Sequence, residues 1–296
     1  MSNPVALLSL YLAFAVGLSS NLVSQAQLTF TIVDVSGARQ TVISDIDGFG
    51  DIVGFFVDSS GVTHGFRKRL GSTNSATGAF TQPINVPGST GTWATGIDLN
   101  HIFVVGWYTD SNSIPHGFEL ASGKFTTVDV PGAMWTRALS VNSSGTIVGA
   151  YADSGGKIHG FLDDHGQGTF TPLDYPGATQ TEINHIVNLR YMAGSFVDSS
   201  GVEHGVQGAA GILGSAIDFP GAGLTSANGV NDAVNIAGYY GSPGGPFHGY
   251  SLIGGQFQTV DFPGATDTRC NSINDSLEIV GQYTDSTGRV HGFIAK

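Results

Sequence analysis

The chain has 296 residues, of which 11% are charged, with 44 glycines, 18 phenylalanines and a net charge of −12. So acidic a chain, whose longest basic run is Arg67-Lys68-Arg69, excludes a nucleic-acid or anionic-membrane partner, which needs a basic face. The single cysteine, Cys270, excludes an internal disulfide and a cysteine-based zinc site.

In chain order, the first element is the apolar run VALLSLYLAFAV, Val5 to Val16, of the length of a secretory h-region and too short for a comfortable membrane span. Ser24-Gln25-Ala26 places small residues at the −3 and −1 positions of a cleavage site, although the leading MSNP lacks Lys and Arg. The expectation is a signal peptide over 1–26 and one exported domain over 27–296, with no membrane contact beyond the export signal.

From residue 30 onward the chain repeats. His-Gly recurs at His64, His116, His159, His204, His248 and His291, each ten residues after a glycine: Gly54, Gly106, Gly149, Gly194, Gly238 and Gly281. Upstream lies a second marker, usually Pro-Gly-Ala, followed four residues later by a threonine: Thr41, Thr92, Thr136, Thr181, Thr225 and Thr268. The unit of about 44 residues reads F-T-x-V-D-x-P-G-A-x-x-T, then I-N-x-x-G-x-I-V-G-x-Y-x-D-S-S-G-x-x-H-G-F. The fourth copy replaces Ile-Asn with Ile186-Val187, the fifth replaces the turn aspartate with Ser242, and residues 67–79 read as an insertion.

Each copy predicts four short strands. Phe-Thr-x-Val-Asp ends at a ladder-breaking Pro-Gly. The threonine-to-Ile-Asn segment is the second strand, Ile-Val-Gly-x-Tyr is an apolar run buried on both faces, and His-Gly-Phe follows an aspartate turn. Four strands in each of six copies predict an all-β fold, a six-bladed β-propeller. The Pro-Gly link then crosses between blades, and the N-terminal strand, Phe30 to Asp34, pairs with HGFIAK at the C-terminus to close the ring.

The tandem I-N-x-x-G-x-I-V-G-x-Y and H-G-F motifs over residues 29–296 resemble the bacterial extracellular repeats of the HAF family. The resemblance implies export and a repeated β-architecture, and carries no established activity.

The six repeated histidines read as structural side chains bonding a neighbouring turn. Asp58, Asp110, Asp153, Asp198 and Asp285 read as turn formers, and Asp34, Asp129, Asp174, Asp218 and Asp261 as caps of the Pro-Gly turn. No cofactor is expected. DIDGFGDIVG at 45–54 is a weak calcium candidate through Asp45, Asp47 and Asp51, with Phe49 standing where an oxygen ligand belongs. No G-x-S-x-G, H-E-x-x-H or phosphate-binding loop occurs.

Ligand recognition is expected where the repeat breaks. Trp93, Met134, Trp135 and Arg137 cluster around two Pro-Gly links and form a candidate aromatic patch for a sugar or a protein, while Trp107 reads as core. The sequence thus reads as a secreted, monomeric, non-catalytic binding or scaffold propeller for an extracellular carbohydrate or protein. A polysaccharide hydrolase or lyase with a site at the channel, and a structural envelope or matrix repeat, are the alternatives.

Overall fold

A computed structural model of the chain describes residues 28–69, 80 and 83–296. The expected signal peptide, and residues 70–79 of the expected insertion, lie outside them. Among the described residues there are twenty-three strands, and the one helical turn is a 3-10 turn, Asp164–Gly166.

The chain enters on β1 (Phe30–Val33) and then repeats one unit six times. Unit 1 holds β2 (Gln40–Ile46), β3 (Ile52–Val57) and β4 (Thr63–Lys68). Unit 2 holds β5 (Gly91–Ile97), β6 (Phe103–Thr109), β7 (Pro115–Ala121) and β8 (Lys124–Val128). Unit 3 holds β9 (Trp135–Val141), β10 (Ile147–Ala152), β11 (Ile158–Asp163) and β12 (Phe170–Leu173). Unit 4 holds β13 (Gln180–Ile186), β14 (Tyr191–Val197), β15 (Glu203–Ala209) and β16 (Ile212–Ile217). Unit 5 holds β17 (Leu224–Val230), β18 (Ile236–Gly241), β19 (Phe247–Ile253) and β20 (Gln256–Thr259). Unit 6 holds β21 (Asp267–Ile273), β22 (Ile279–Thr284) and β23 (Val290–Ala295).

Within each unit the strands pair antiparallel in sequence order. Units 3 and 4 are joined into one sheet by a single parallel bridge, Ile158 to Gln180. In unit 1 the fourth position is held by two isolated bridges, Lys68 to Phe80 and Gly65 to Ile84. In unit 6 it is held by β1, which pairs with β23 from Phe30–Ala295 to Val33–Gly292. Arg67 and Lys68 belong to β4, so the insertion starts later than the sequence suggests; Arg67 is drawn in by Asp51, 3.0 Å away.

The repeated residues build the unit in a specific way. Each repeated threonine, rather than the nearby aspartate, caps the Pro-Gly link. Thr41 Oγ1 accepts from the Val35 amide at 3.1 Å, and Thr92, Thr136, Thr181, Thr225 and Thr268 repeat the bond. The aspartates expected as caps instead hold the repeated histidines. Gly106 and its five counterparts are required by close approach: a Cβ at Gly106 would sit 1.9 Å from Trp93 O. Ile43, Ala94, Ala138, Ala227 and Cys270, all 0% exposed, share core clusters with Phe66, Phe118, Phe161, Tyr250 and Phe293 of the His-Gly-Phe slot. Ile183 instead packs among the aliphatic side chains Val148, Leu162 and Leu173.

The Ile-Val-Gly-x-Tyr strand is buried along most of its length in units 3 and 4 but only over its first half in units 1 and 2. Its second half, Phe55 to Val57 in unit 1 and Trp107 to Thr109 in unit 2, is partly exposed.

Candidate functional site

Four residues after each repeated threonine stand Asp45, Gly96, Ser140, His185, Gly229 and Ser272. A β-bulge in each first strand brings this position out of step with its neighbours. Three of these side chains meet at the centre of the molecule. Asp45 Oδ1 accepts from Ser272 Oγ at 2.6 Å and from His185 Nε2 at 3.1 Å, and Asp45 Oδ2 accepts from the Ile97 amide at 2.9 Å. The Val230 amide faces His185 Nδ1 at 3.5 Å, which leaves the ring proton on Nε2. Ser272 Oγ donates to the carboxylate and also lies 3.4 Å from His185 Nε2, so the three side chains form one buried lock. Asp45 Oδ1 also accepts from the Ile46 amide at 2.8 Å, so four donors engage this carboxylate. Of the expected calcium ligands, Asp47 and Asp51, but not Asp45, gather with His101. A small cavity of about 40 Å³ lies beside His185 on the turn side, bordered by Asn142, Asn188, Asp232 and Asp275.

At the other end of the same strands, directly after the Pro-Gly links, lies a polar and aromatic cup. The residue after each threonine and its cross-strand partner are Val42–Phe55, Trp93–Trp107, Arg137–Ala150, Glu182–Ser195, Ser226–Tyr239 and Arg269–Gln282. Trp93 and Trp107 stack at 3.8 Å and 7°, with Phe55 edge-on to Trp93 at 6.4 Å. The Arg137 guanidinium lies 4.7 Å over Trp107 and 4.8 Å over Trp135, holding both rings to one cation. Arg269 does the same for Tyr239 and Phe247, at 5.2 and 4.4 Å, and is oriented by Asp267 at 3.2 Å.

Between the two arginines lies a hollow of about 240 Å³ lined by Glu182, Ser195, Phe196, Glu203 and Tyr239, among others. Burial pushes the Glu182 carboxyl upward, with Arg137 opposing and Glu203 adding to the rise. Burial, and then the neighbouring Glu203, push the Tyr239 phenol up to about 12.

Of the expected ligand patch, Trp135 and Arg137 are in contact, and Trp93 joins them only through Trp107. Trp107 is therefore a wall of the cup and not core. Its cross-strand position opposite Trp93 was the available signal. Met134 is 57% exposed and lines a second hollow of about 240 Å³ with Trp135, His116 and Asp129. Sequence reasoning missed Glu182, Glu203, Tyr239 and Arg269, which come from three units. The available signal was the slot after each repeated threonine, which Glu182 and Arg269 hold and which Tyr239 faces across the strand pair.

The six repeated histidines are placed as structural pins. Nδ1 meets Asp129, Asp174, Asp218, Asp261 and Asp34 at 2.7–2.8 Å for His116, His159, His204, His248 and His291. His64 uses Asn85 at 2.8 Å instead. Nε2 faces the turn aspartate, at 3.2 Å for Asp58 and Asp285 and 3.3 Å for Asp153. Each ring also lies against an aromatic side chain, as His291 does on Tyr283 at 5.0 Å. The rings are partly buried at the rim. His116, His159, His204 and His291 each lie between two carboxylates, whereas His64 has Asn85 in place of one and His248 has Asp261 alone.

Asp47 and Asp51 converge with His101 of unit 2, one of the histidines outside the repeated slot.

This architecture is a β-propeller. No protein-family model matches the chain, and no curated protein matches it. Among solved structures it is similar to the Aleuria aurantia lectin, described as a six-bladed β-propeller with a novel fucose recognition mode. The TM-score is 0.53 at 13% identity, covering 89% of this chain and 93% of that one. It is similar to a mutant of AofleA from Arthrobotrys oligospora, with TM-score 0.54 at 15% identity over 90% of this chain and 86% of that one. It is also similar to TolB from Acinetobacter baumannii, with TM-score 0.55 at 10% identity over 84% of this chain, and it spans 64% of TolB.

Proposed function

We propose that the chain is a secreted, monomeric six-bladed propeller, closed by β1 on β23, that binds an extracellular carbohydrate in the cup. The observation that carries this reading is the unbroken run Phe55–Trp93–Trp107–Arg137–Trp135 beside Glu182, Glu203, Tyr239 and Arg269. Flat aromatic faces stack on the apolar face of a sugar ring, and the adjoining carboxylates and guanidinium groups are placed to bond its hydroxyls. The likeness to the Aleuria aurantia lectin supports the choice of carbohydrate over protein. The HAF resemblance and the N-terminal leader support export.

A glycan array tests the reading, with the chain from residue 28 compared with its Trp107→Ala and Arg269→Ala variants. Loss of at least about tenfold in affinity is expected in each. Equal binding by the variants would move the site elsewhere.

Glu182 favours one second reading, a glycoside hydrolase. A carboxyl raised by burial beside a second carboxylate is the arrangement of a general acid. Release of reducing ends by the parent protein, abolished in Glu182→Gln, would select it.

A further inference from the structure

The turns of units 1 and 2 meet at a cluster that the repeat does not explain. Asp47 is 1% exposed; its Oδ1 accepts from the Phe49 and Asp51 amides at 2.8 and 3.0 Å. Its Oδ2 has no hydrogen-bond donor among the described residues, and neither has His101 Nδ1 a partner there. Yet these two atoms lie 2.8 Å apart, and His101 Nδ1 lies 3.4 Å from Asp51 Oδ2. A buried carboxylate oxygen left without a donor is costly, and two lone-pair atoms this close without a hydrogen bond are aimed at a common point.

We propose that Asp47, Asp51 and His101 hold one divalent first-row transition ion of the Zn²⁺ class, tying unit 1 to unit 2. One imidazole nitrogen and two carboxylate oxygens are ligands of that class. Tetrahedral coordination at zinc bond lengths separates donors by about 3.3 Å, so the 3.4 Å pair already fits and the 2.8 Å pair opens by about half an ångström. The His101 side chain is 28% exposed, which leaves a fourth position for water. Calcium fits poorly, since it takes six to eight oxygens and Phe49 occupies the intervening loop position, its ring 5.2 Å from the His101 ring.

Arg67 Nη2 donates to Asp51 Oδ2 at 3.0 Å. Arg69 Nε lies 3.9 Å from the same oxygen, and the two guanidinium groups are outer partners that aim the ligand. Burial, opposed by two amides and reinforced by Asp51, pushes the Asp47 carboxyl up to about 7, a penalty that a divalent cation relieves.

The sequence departs from the repeat at the participating positions. In the other turns Asp51 is replaced by Phe103, Thr146, Tyr191, Asn235 and Glu278, and His101 by Gly50, Gly145, Arg190, Val234 and Leu277. Unit 2 also carries one extra residue between its threonine and its glycine, Thr92 to Gly106, lengthening the turn that delivers His101.

The test is calorimetric titration of chelator-treated full chain with Zn²⁺, beside Asp47→Asn and His101→Asn. Asparagine at 47 retains the oxygen that accepts the two amides, and asparagine at 101 tolerates the left-handed φ of 59° found there. Co²⁺ in place of Zn²⁺ reports the imidazole ligand through its visible spectrum. One equivalent of Zn²⁺ bound by the parent, with affinity at least about tenfold lower in each variant and an altered Co²⁺ spectrum in His101→Asn, is the expected result. No uptake by the parent, or undiminished uptake by His101→Asn, overturns the proposal; in the latter case the repeated His–Asp pairs hold the ion.

Discussion

His185 Nε2 lies 3.1 Å from Asp45 Oδ1, although 140 residues separate the two. Ser272, 227 residues from Asp45, meets the same oxygen at 2.6 Å. The lock therefore couples units 1, 4 and 6 directly through buried side chains. Asp45→Ala leaves the Ile97 amide, the Ser272 hydroxyl and the His185 ring without their acceptor. A loss of about 3 kcal/mol or more in urea unfolding is expected. A loss below about 1 kcal/mol would mean the cluster is incidental.

Tyr250 holds the slot that Phe66, Phe118, Phe161 and Phe293 hold in other units. Its hydroxyl is buried without a partner among the described residues, and burial pushes the phenol upward. Tyr250→Phe keeps the ring and removes the orphan. Stabilisation by about 1 kcal/mol is expected in thermal melting; destabilisation would reveal a partner for the hydroxyl.

The turn aspartates make the fold acid-sensitive. The Val202 amide and then the Ser200 hydroxyl hold the Asp198 carboxyl at about 2, against an ordinary 3.8, and Asp58, Asp110, Asp153 and Asp285 are lowered in the same direction. The unfolded chain binds these protons first, so their contribution is present above about pH 4 and is lost as pH falls through the folded values. The urea midpoint should drop between about pH 4 and pH 2, and less steeply in Asp198→Asn. A flat profile over that range would contradict the assignment.

Deleting residues 28–35 removes β1, its backbone pairing with β23 and the Asp34 partner of His291, 2.7 Å away. It also uncovers Ile294 and Phe293, now 3% and 0% exposed. A fall in melting temperature on the order of 10 °C or more is expected. An unchanged melt would mean that β1 does not seal unit 6.

The period, the strand order within a unit and the partnership of β1 with β23 were legible in the sequence, because they rest on glycine, threonine and histidine slots that recur without exception. The cup was half legible. Trp135 and Arg137 stand out against the repeat, whereas Glu182, Tyr239 and Arg269 become neighbours only when units are set side by side. The lock was not legible, because its column holds Asp, Gly, Ser, His, Gly and Ser, and a backbone bulge decides where those side chains aim. For the same reason Asp45 read as a calcium ligand beside Asp47.

All three tryptophans of the chain, Trp93, Trp107 and Trp135, belong to the Arg137 cluster, so tryptophan emission reports on the proposed site alone. The most direct measurement is a fluorescence titration with a glycan that the array identifies. A saturable change in emission, with the same midpoint as calorimetric binding and absent in Arg269→Ala at the same concentrations, is the expected result. Calorimetric binding that leaves tryptophan emission unchanged would contradict the assignment of the cup as the carbohydrate site.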